Sequence, residues 1–202
     1  SAIRRVVMGE RAIGNEASDQ ELVAMQALLD KSLSEGAMGF SSTIAVTHND
    51  ADGQPVPSRH ASREEMVALA AVCKDHEGTS LEFLPAVGEF SEEVIDLMVD
   101  LTTSAQRPLN WNALSAGNPK IMENQLSASD RAMAAGGDIR ALTIPQPITV
   151  RINLYTGFVF DALDGWSEIF KLSVEDRIEL FKNPDERRKL DAAATNSRGA
   201  FR

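Results

Sequence analysis

Cysteine is nearly absent from this chain: Cys73 is the only one in 202 residues. An internal disulfide framework and a thiolate metal cluster are thereby excluded. Cys73 itself sits in the apolar helical stretch 66–73, where a small buried residue accounts for it better than a nucleophile does. Long hydrophobic runs are missing too, since none approaches the ~18 residues that a membrane span requires. No charged start leads into an apolar stretch, so the chain reads as soluble and cytoplasmic. Positive charge is in short supply. Lys and Arg number 20 against 30 Asp and Glu, a formal net charge of −10, which opposes the phosphate attraction behind nucleic-acid binding. Nucleic acid and anionic membrane are poor partners for such a chain. A glycine-rich phosphate loop, a nucleophile elbow and a redox cysteine pair are also lacking. Gly36-Ala37-Met38-Gly39 leads into a strand, the reverse of a dinucleotide fingerprint.

What the chain has is a repeated grammar of helix and strand. With 43% hydrophobic residues it is long enough for one sizeable domain or for part of a larger one. Ser18-Asp19-Gln20-Glu21 sets a serine three residues ahead of a glutamate, a pairing that satisfies two free amides at a helix start. Leu22, Met25, Leu28, Leu29 and Leu33 then recur on one helical face, and Gly36 ends the helix. The apolar run 37–42 turns polar at its end, as a buried parallel strand does on reaching a loop. Ser62-Arg63-Glu64-Glu65 opens a second helix with Met66, Leu69, Ala70 and Cys73 on its apolar face; Gly78 closes it and 79–85 follows as a strand. Ser91-Glu92-Glu93 caps a third helix with negative charge at the favourable end of its dipole. Residues 108–114 and 138–144 read as further strands, separated by a helix over about 119–135 that Gly136-Gly137 ends, and Pro145 and Pro147 stop the last strand. Strands alternating with helices in this way predict an α/β protein with a parallel sheet. The tail departs from the pattern. Residues 151–160 are apolar and β-prone, Asp164-Gly165-Trp166 predicts a turn, and helices are expected from Ser173 and from about Asn183. This part is read as an excursion packed on the main body.

Alternation along the strands locates polar groups. On the second strand Leu81 and Phe83 share one face, and Glu82 shares the other with Leu84. On the third, Leu109, Trp111 and Ala113 face one way and Asn110 and Asn112 the other. An unpaired polar side chain in a sheet interior costs on the order of 1–3 kcal/mol, so these groups need partners. Two readings stay open. Either Glu82, Asn110 and Asn112 line a site at the strand ends, or they close a structural network in a non-catalytic α/β binding or structural module. The longest strand-to-helix gap, 43–61, contains His48, Asn49, Asp50, Asp52, Gly53, Arg59 and His60. A loop this long in a compact α/β domain is more often functional than ornamental. His48, Asp50 and Asp52 superficially resemble a metal cluster, yet the same spacing is typical of turns and the calcium-loop pattern lacks its closing glutamate. His60 precedes a helix start and His76 lies near that helix's end, where surface or capping roles are expected. Three isolated histidines do not make a zinc site by themselves.

Ile3-Arg4-Arg5-Val6-Val7-Met8-Gly9 and Gly36-Ala37-Met38-Gly39-Phe40-Ser41-Ser42 resemble the middle of the N-acyl-D-amino-acid deacylases, or D-aminoacylases, of the amidohydrolase superfamily. Pro55-Val56-Pro57-Ser58-Arg59, Asn110-Trp111-Asn112 and Gly157-Phe158-Val159-Phe160-Asp161-Ala162-Leu163 are similar to its longer, amidohydrolase family 3-like members. The resemblance implies a partial (β/α)8 TIM-type barrel of about four consecutive parallel strand-helix units plus a C-terminal helical excursion. Residues 1–148 would form the central part of the barrel and 149–202 the excursion. It also implies a metal-dependent hydrolase cleaving the amide bond of N-acyl-D-amino acids or a related C–N bond. Zinc or another divalent metal would activate water and an aspartate would handle the proton. The family's His-x-His pair on its first strand and its catalytic aspartate on the last are not in these residues, and a complete barrel needs ~250 residues. The chain is therefore expected to be a central fragment, inactive alone and without a catalytic residue of its own.

Where that family places metal-binding histidines on its fifth and sixth strands, this sequence has Glu82 and the segment Asn110-Trp111-Asn112. Glu82 stays a candidate metal ligand, whereas asparagine is a feeble zinc ligand, so the fragment by itself need bind no metal. The resemblance and the strand-end placement together make His48, Arg59, Asn110 and Asn112 the expected substrate-binding residues, with Arg59 a carboxylate clamp. The expected partner is a small N-acyl amino acid, with no nucleic acid and no membrane. The apolar edges of a half-barrel predict self-association.

Overall fold

The computed structural model describes residues 2–50, 53–114, 116–144, 146, 149, 151–157, 160 and 163–196. Ala51, Asp52, Pro145, Pro147, Phe158, Val159, Asp161 and Ala162 lie outside the described residues. The chain divides into two compact units, Ser1–Ala45 with Val56–Pro147, and Val46–Pro55 with Ile148–Arg202.

In the first unit a short helix α1 (Ala2–Met8) precedes α2 (Asp19–Ser34), β1 (Gly39–Thr43), α3 (Arg63–Val72), β2 (Ser80–Leu84), α4 (Glu92–Ala105), β3 (Leu109–Asn112), α5 (Pro119–Ala134) and β4 (Ile139–Leu142). The strands lie side by side in the order β1-β2-β3-β4 and every pairing is parallel. Parallel neighbours in chain order, each joined to the next through a helix, are the arrangement of one half of a (β/α)8 barrel.

Local chemistry sets these elements. Ser18 and Glu21 make the expected reciprocal capping box at α2. Ser62 accepts from the Glu65 amide and Ser91 from the Val94 amide, starting α3 and α4, while Asn118 caps α5 ahead of Pro119. Gly39 has φ +153°, and a Cβ there would stand 1.7 Å from the Ser80 carbonyl oxygen. Only glycine lets β1 begin its pairing with β2 at that point.

The helices cover one face of the sheet. Met25, Leu29, Met66, Leu69, Ile95, Met98 and Leu101 pack in one cluster with Leu81, Phe83, Leu109, Trp111 and Ile139. Phe90 meets Trp111 edge-on with ring centroids 4.9 Å apart, a favoured aromatic geometry. Cys73 lies fully buried in this cluster, and burial pushes its thiol pKa up. It is a core residue, as expected.

Helix α1 is not announced by the pattern of apolar residues, and its anchor is ionic. Arg4 and Glu65 are both buried and form an ion pair. Arg4 Nη2 also donates to the carbonyls of Asn15 at 2.5 Å and Ala12 at 3.4 Å. Glu65 thus ties α3 to α1.

In the second unit α6 (Val174–Lys182) and α7 (Pro184–Asn196) occupy the positions expected for the tail helices, and a turn covers Asp164, Gly165 and Trp166. The described part of the β-prone segment, 151–157, forms no strand. Its carbonyls are claimed by a buried side chain instead. Arg177 donates from Nη1 to Leu154 and Tyr155 at 2.5 and 3.0 Å, and from Nη2 to Phe170 and Leu172 at 3.3 and 3.0 Å. Its guanidinium lies 4.8 Å from the centre of the Phe170 ring. Among the described residues, no helix is long and apolar enough to cross a membrane.

Candidate functional site

The parity read from the strands holds. Leu81, Phe83, Leu109, Trp111 and Ile139 are buried against the helices, whereas Glu82 and Asn110 are half-buried and Ser41, Asn112 and Arg140 exposed. Ser41 is in register with Glu82, Glu82 with Asn110, and Asn110 with Arg140. One row across all four strands therefore carries Ser, Glu, Asn and Arg on the face that the helices leave open. Asn112, two residues beyond Asn110 on that face, donates from Nδ2 to Glu82 Oε1 at 3.3 Å. Burial raises the Glu82 carboxyl pKa above its ordinary value, because partial removal from water disfavours the charged form.

Side chains of α5 brace the loop that follows β2, at the carboxyl ends of the strands. The Asn124 side chain accepts from the Phe90 amide at 2.7 Å and donates to the Phe90 carbonyl at 3.1 Å, and Gln125 Nε2 donates to the Gly88 carbonyl at 2.8 Å. At β1, Thr43 Oγ1 donates to the Leu84 carbonyl at 3.1 Å and accepts from the Ala45 amide at 3.1 Å. The end of the sheet that would meet a ligand is thus held by side-chain to backbone bonds, which order loops without extending the strands.

The other expected site residues are on loops and short helices outside the strands. Arg59, at the short 3-10 helix Pro57–His60, lines a recess of about 320 Å3 with Gly14, Asn15, Glu16, His60 and Ala61. None of these is a strand residue. Burial lowers the Arg59 pKa. His60 shares the recess, half-buried at the end of that 3-10 helix, and its Nε2 is buried without a hydrogen-bond partner. His48 belongs to the second unit. Beside it Asn49 bridges Pro55, the Asp50 amide donates to the Gln54 carbonyl at 2.7 Å, and Asp50 Oδ1 accepts from the Gln54 amide at 2.9 Å. Asp50 is engaged with the backbone of Gly53 and Gln54, in keeping with the turn role that its spacing also allowed. His76 caps the 3-10 turn after α3, and its Nε2 lies 2.8 Å from Asp30 Oδ1.

Two residues of the open face were not singled out from sequence. Arg140 donates from Nε and Nη2 to Asp138, the shortest contact being 2.6 Å. Ser41 lies beside Glu82 on β1. The same period-two reading applied to β1 and β4 finds both.

A divalent metal does not fit these residues by themselves. The row offers one carboxylate, one hydroxyl, one amide and one guanidinium, the last a permanent cation. Among the described residues no three His, Cys, Asp or Glu side chains gather as a metal site.

No family model matches the chain, and no curated protein matches it. Among solved structures it is similar to a D-aminoacylase whose crystal structure is described as defining a novel subset of amidohydrolases, at 24% identity and TM-score 0.54. It is also similar to a D-aminoacylase mutant in complex with copper chloride, at 23% identity and TM-score 0.51. A third is a D-aminoacylase described through the role of its binuclear metal centre, at 24% identity and TM-score 0.51. Each match covers 71% of this chain and 28% of the other. The chain thus spans little more than a quarter of the structures it matches, and at these identities the likeness is one of fold: four parallel strand-helix units of a partial barrel.

Proposed function

We propose that this chain forms part of the barrel wall and one side of the substrate cleft of a metal-dependent hydrolase that cleaves the amide bond of N-acyl-D-amino acids or a related C–N bond. The observation that carries the reading is the open polar face, with Glu82, Asn110 and Asn112 on a parallel sheet of D-aminoacylase fold. In an α/β barrel the ligand sits where strands end, and polar groups held in a largely apolar frame orient it. The amide groups of Asn110 and Asn112 supply donors for a substrate carbonyl, and Glu82 supplies an acceptor for an amide N–H when ionised. A divalent metal, zinc first, belongs to this proposal for the whole enzyme, which we take to be soluble and cytoplasmic. Groups better suited than Asn110 and Asn112 must hold it. Alone, the 202-residue chain is expected to be inactive. Among the described residues β1 and β4 each have one paired neighbour, and such edges are expected to drive self-association.

The test is release of free amino acid from N-acetyl-D- and N-acetyl-L-amino acids by the full-length protein carrying this chain, with the 202-residue chain as control. Hydrolysis of the D-compounds by the former and none by the latter supports the reading. An inert full-length protein sinks it. The Asn112 to Glu82 hydrogen bond favours a second reading, a structural polar network in a binding module. Asn112→Ala would then cost about 1 kcal/mol of stability and nothing else.

A further inference from the structure

We infer that two copies of the 202-residue chain close into one eight-stranded barrel, the β1 edge of each pairing in parallel with the β4 edge of the other. This gives the expected self-association a geometry and a stoichiometry, and it rests on the fold alone, so it stands or falls apart from the hydrolase reading. The first unit has four strands, β1 to β4, and four helices, α2 to α5, each helix leading into a strand. That is half of the eight strands and eight helices of a (β/α)8 barrel. Two such halves related by a two-fold axis meet at two equivalent junctions, and no edge is left over. At each junction α2 of one copy takes the place of a helix following β4 of the other. Half a barrel turns through half a circle, so the second copy closes the ring where a less curved sheet would build a filament.

The β1 edge is shaped for a strand. Neighbouring residues of a strand point to opposite faces, yet the consecutive residues Gly39, Phe40, Ser41 and Ser42 all line one cavity of about 240 Å3. The cavity therefore runs along an edge of β1, and because β2 occupies the other edge, it is the open one. Leu29 of α2 and Met66 and Leu69 of α3 also line it, which makes its helix side apolar. Phe40 and Ser42 are only half-buried, whereas Leu81 and Phe83, their register partners on β2, are 2% and 1% exposed. A strand added to the open edge supplies the missing cover. The backbone agrees. The Met38 carbonyl accepts from the Ser80 amide and the Ile44 amide donates to the Leu84 carbonyl. Even-numbered residues thus turn to β2, and Gly39, Ser41 and Thr43 turn their amides and carbonyls to the open edge. On β4 the Asp138 and Leu142 carbonyls accept from the Leu109 and Leu114 amides, which leaves Ile139 and Ala141 turned outward. The β1 segment Gly-Phe-Ser-Ser-Thr has none of the lysine or proline that guards an edge.

The experiment measures the molar mass of the 202-residue chain by sedimentation equilibrium over a wide concentration range, with amide hydrogen exchange followed by NMR. The chain should weigh twice its 21.9 kDa and no more as concentration rises. In the dimer the Ser41 and Ala141 amides should exchange at least ten-fold more slowly than in the diluted monomer. Ser41→Pro and Ala141→Pro each delete one outward amide and no bond to β2 or β3, and proline is tolerated on an edge strand. Both should give monomers that circular dichroism shows to be folded. A monomer at high concentration, species that grow beyond two copies, a dimer whose Ser41 and Ala141 amides exchange freely, or a folded dimer of either proline variant overturns the inference. A monomer with those amides protected has its edges covered within one chain, and overturns it as well. The exchange measurement on the wild type decides the matter even where a proline variant does not fold.

Discussion

Glu82 feels two opposing influences, a hydrogen bond from Asn112 and partial removal from water, and burial raises its carboxyl pKa. Such a group binds more protons in the folded than in the unfolded state between its unfolded and its folded pKa. Stability therefore falls as pH rises through that window and stays reduced above it. Glu82→Gln cannot ionise, so it should exceed the wild type in stability at neutral pH and match it at acid pH; urea unfolding at the two pH values checks this. The Arg4 and Glu65 pair behaves differently, because both side chains are buried. Arg4→Met leaves an uncompensated carboxylate and should cost about 3–5 kcal/mol, most of it recovered in Arg4→Met with Glu65→Leu. A double-mutant cycle in urea measures this. Glu82, Asn110 and Asn112 were legible in the sequence because a strand repeats every two residues, and Arg140 was equally legible by the same rule. The pairing of Arg4 with Glu65 was not. Its partners stand 61 positions apart, and Glu65 in sequence looks like an ordinary first-turn acid. Which recess Arg59 lines was likewise not legible, because charge type says what a residue can bind and only the fold says where it stands.

Elements joined by short-range signals came through best. Capping serines, closing glycines and apolar periodicity place α2 to α5 and β1 to β4 within a few residues of where they stand, because each signal acts over one turn or one strand. The segment 151–157 shows the limit of that logic. Its residues favour a strand, but Arg177 on α6 takes the carbonyls of Leu154 and Tyr155, a contact made across more than twenty positions. Arg177→Met should accordingly loosen 151–157 and lower stability by about 1–3 kcal/mol, read by urea unfolding, as the Leu154 and Tyr155 carbonyls lose their donor. On the sheet, Gly39→Ala should lower stability by roughly 3 kcal/mol or more, since the new Cβ would meet the Ser80 carbonyl at a positive φ. Thermal unfolding followed by far-UV circular dichroism reads that loss.

For the whole molecule, a parallel sheet with helices on one face and polar side chains on the other needs something on its open side. In a barrel that side is the interior, and a ligand meets it at the carboxyl ends of the strands. The account therefore centres on one claim, that Glu82, Asn110 and Asn112 belong to the ligand-facing surface. The most direct measurement is chemical-shift mapping of N-acetyl-D-alanine on the isotopically labelled protein. Perturbations gathered on Glu82, Asn110 and Asn112 are the predicted result. Perturbations confined to the recess of Asn15, Arg59 and His60, or none on the four strands, would contradict it.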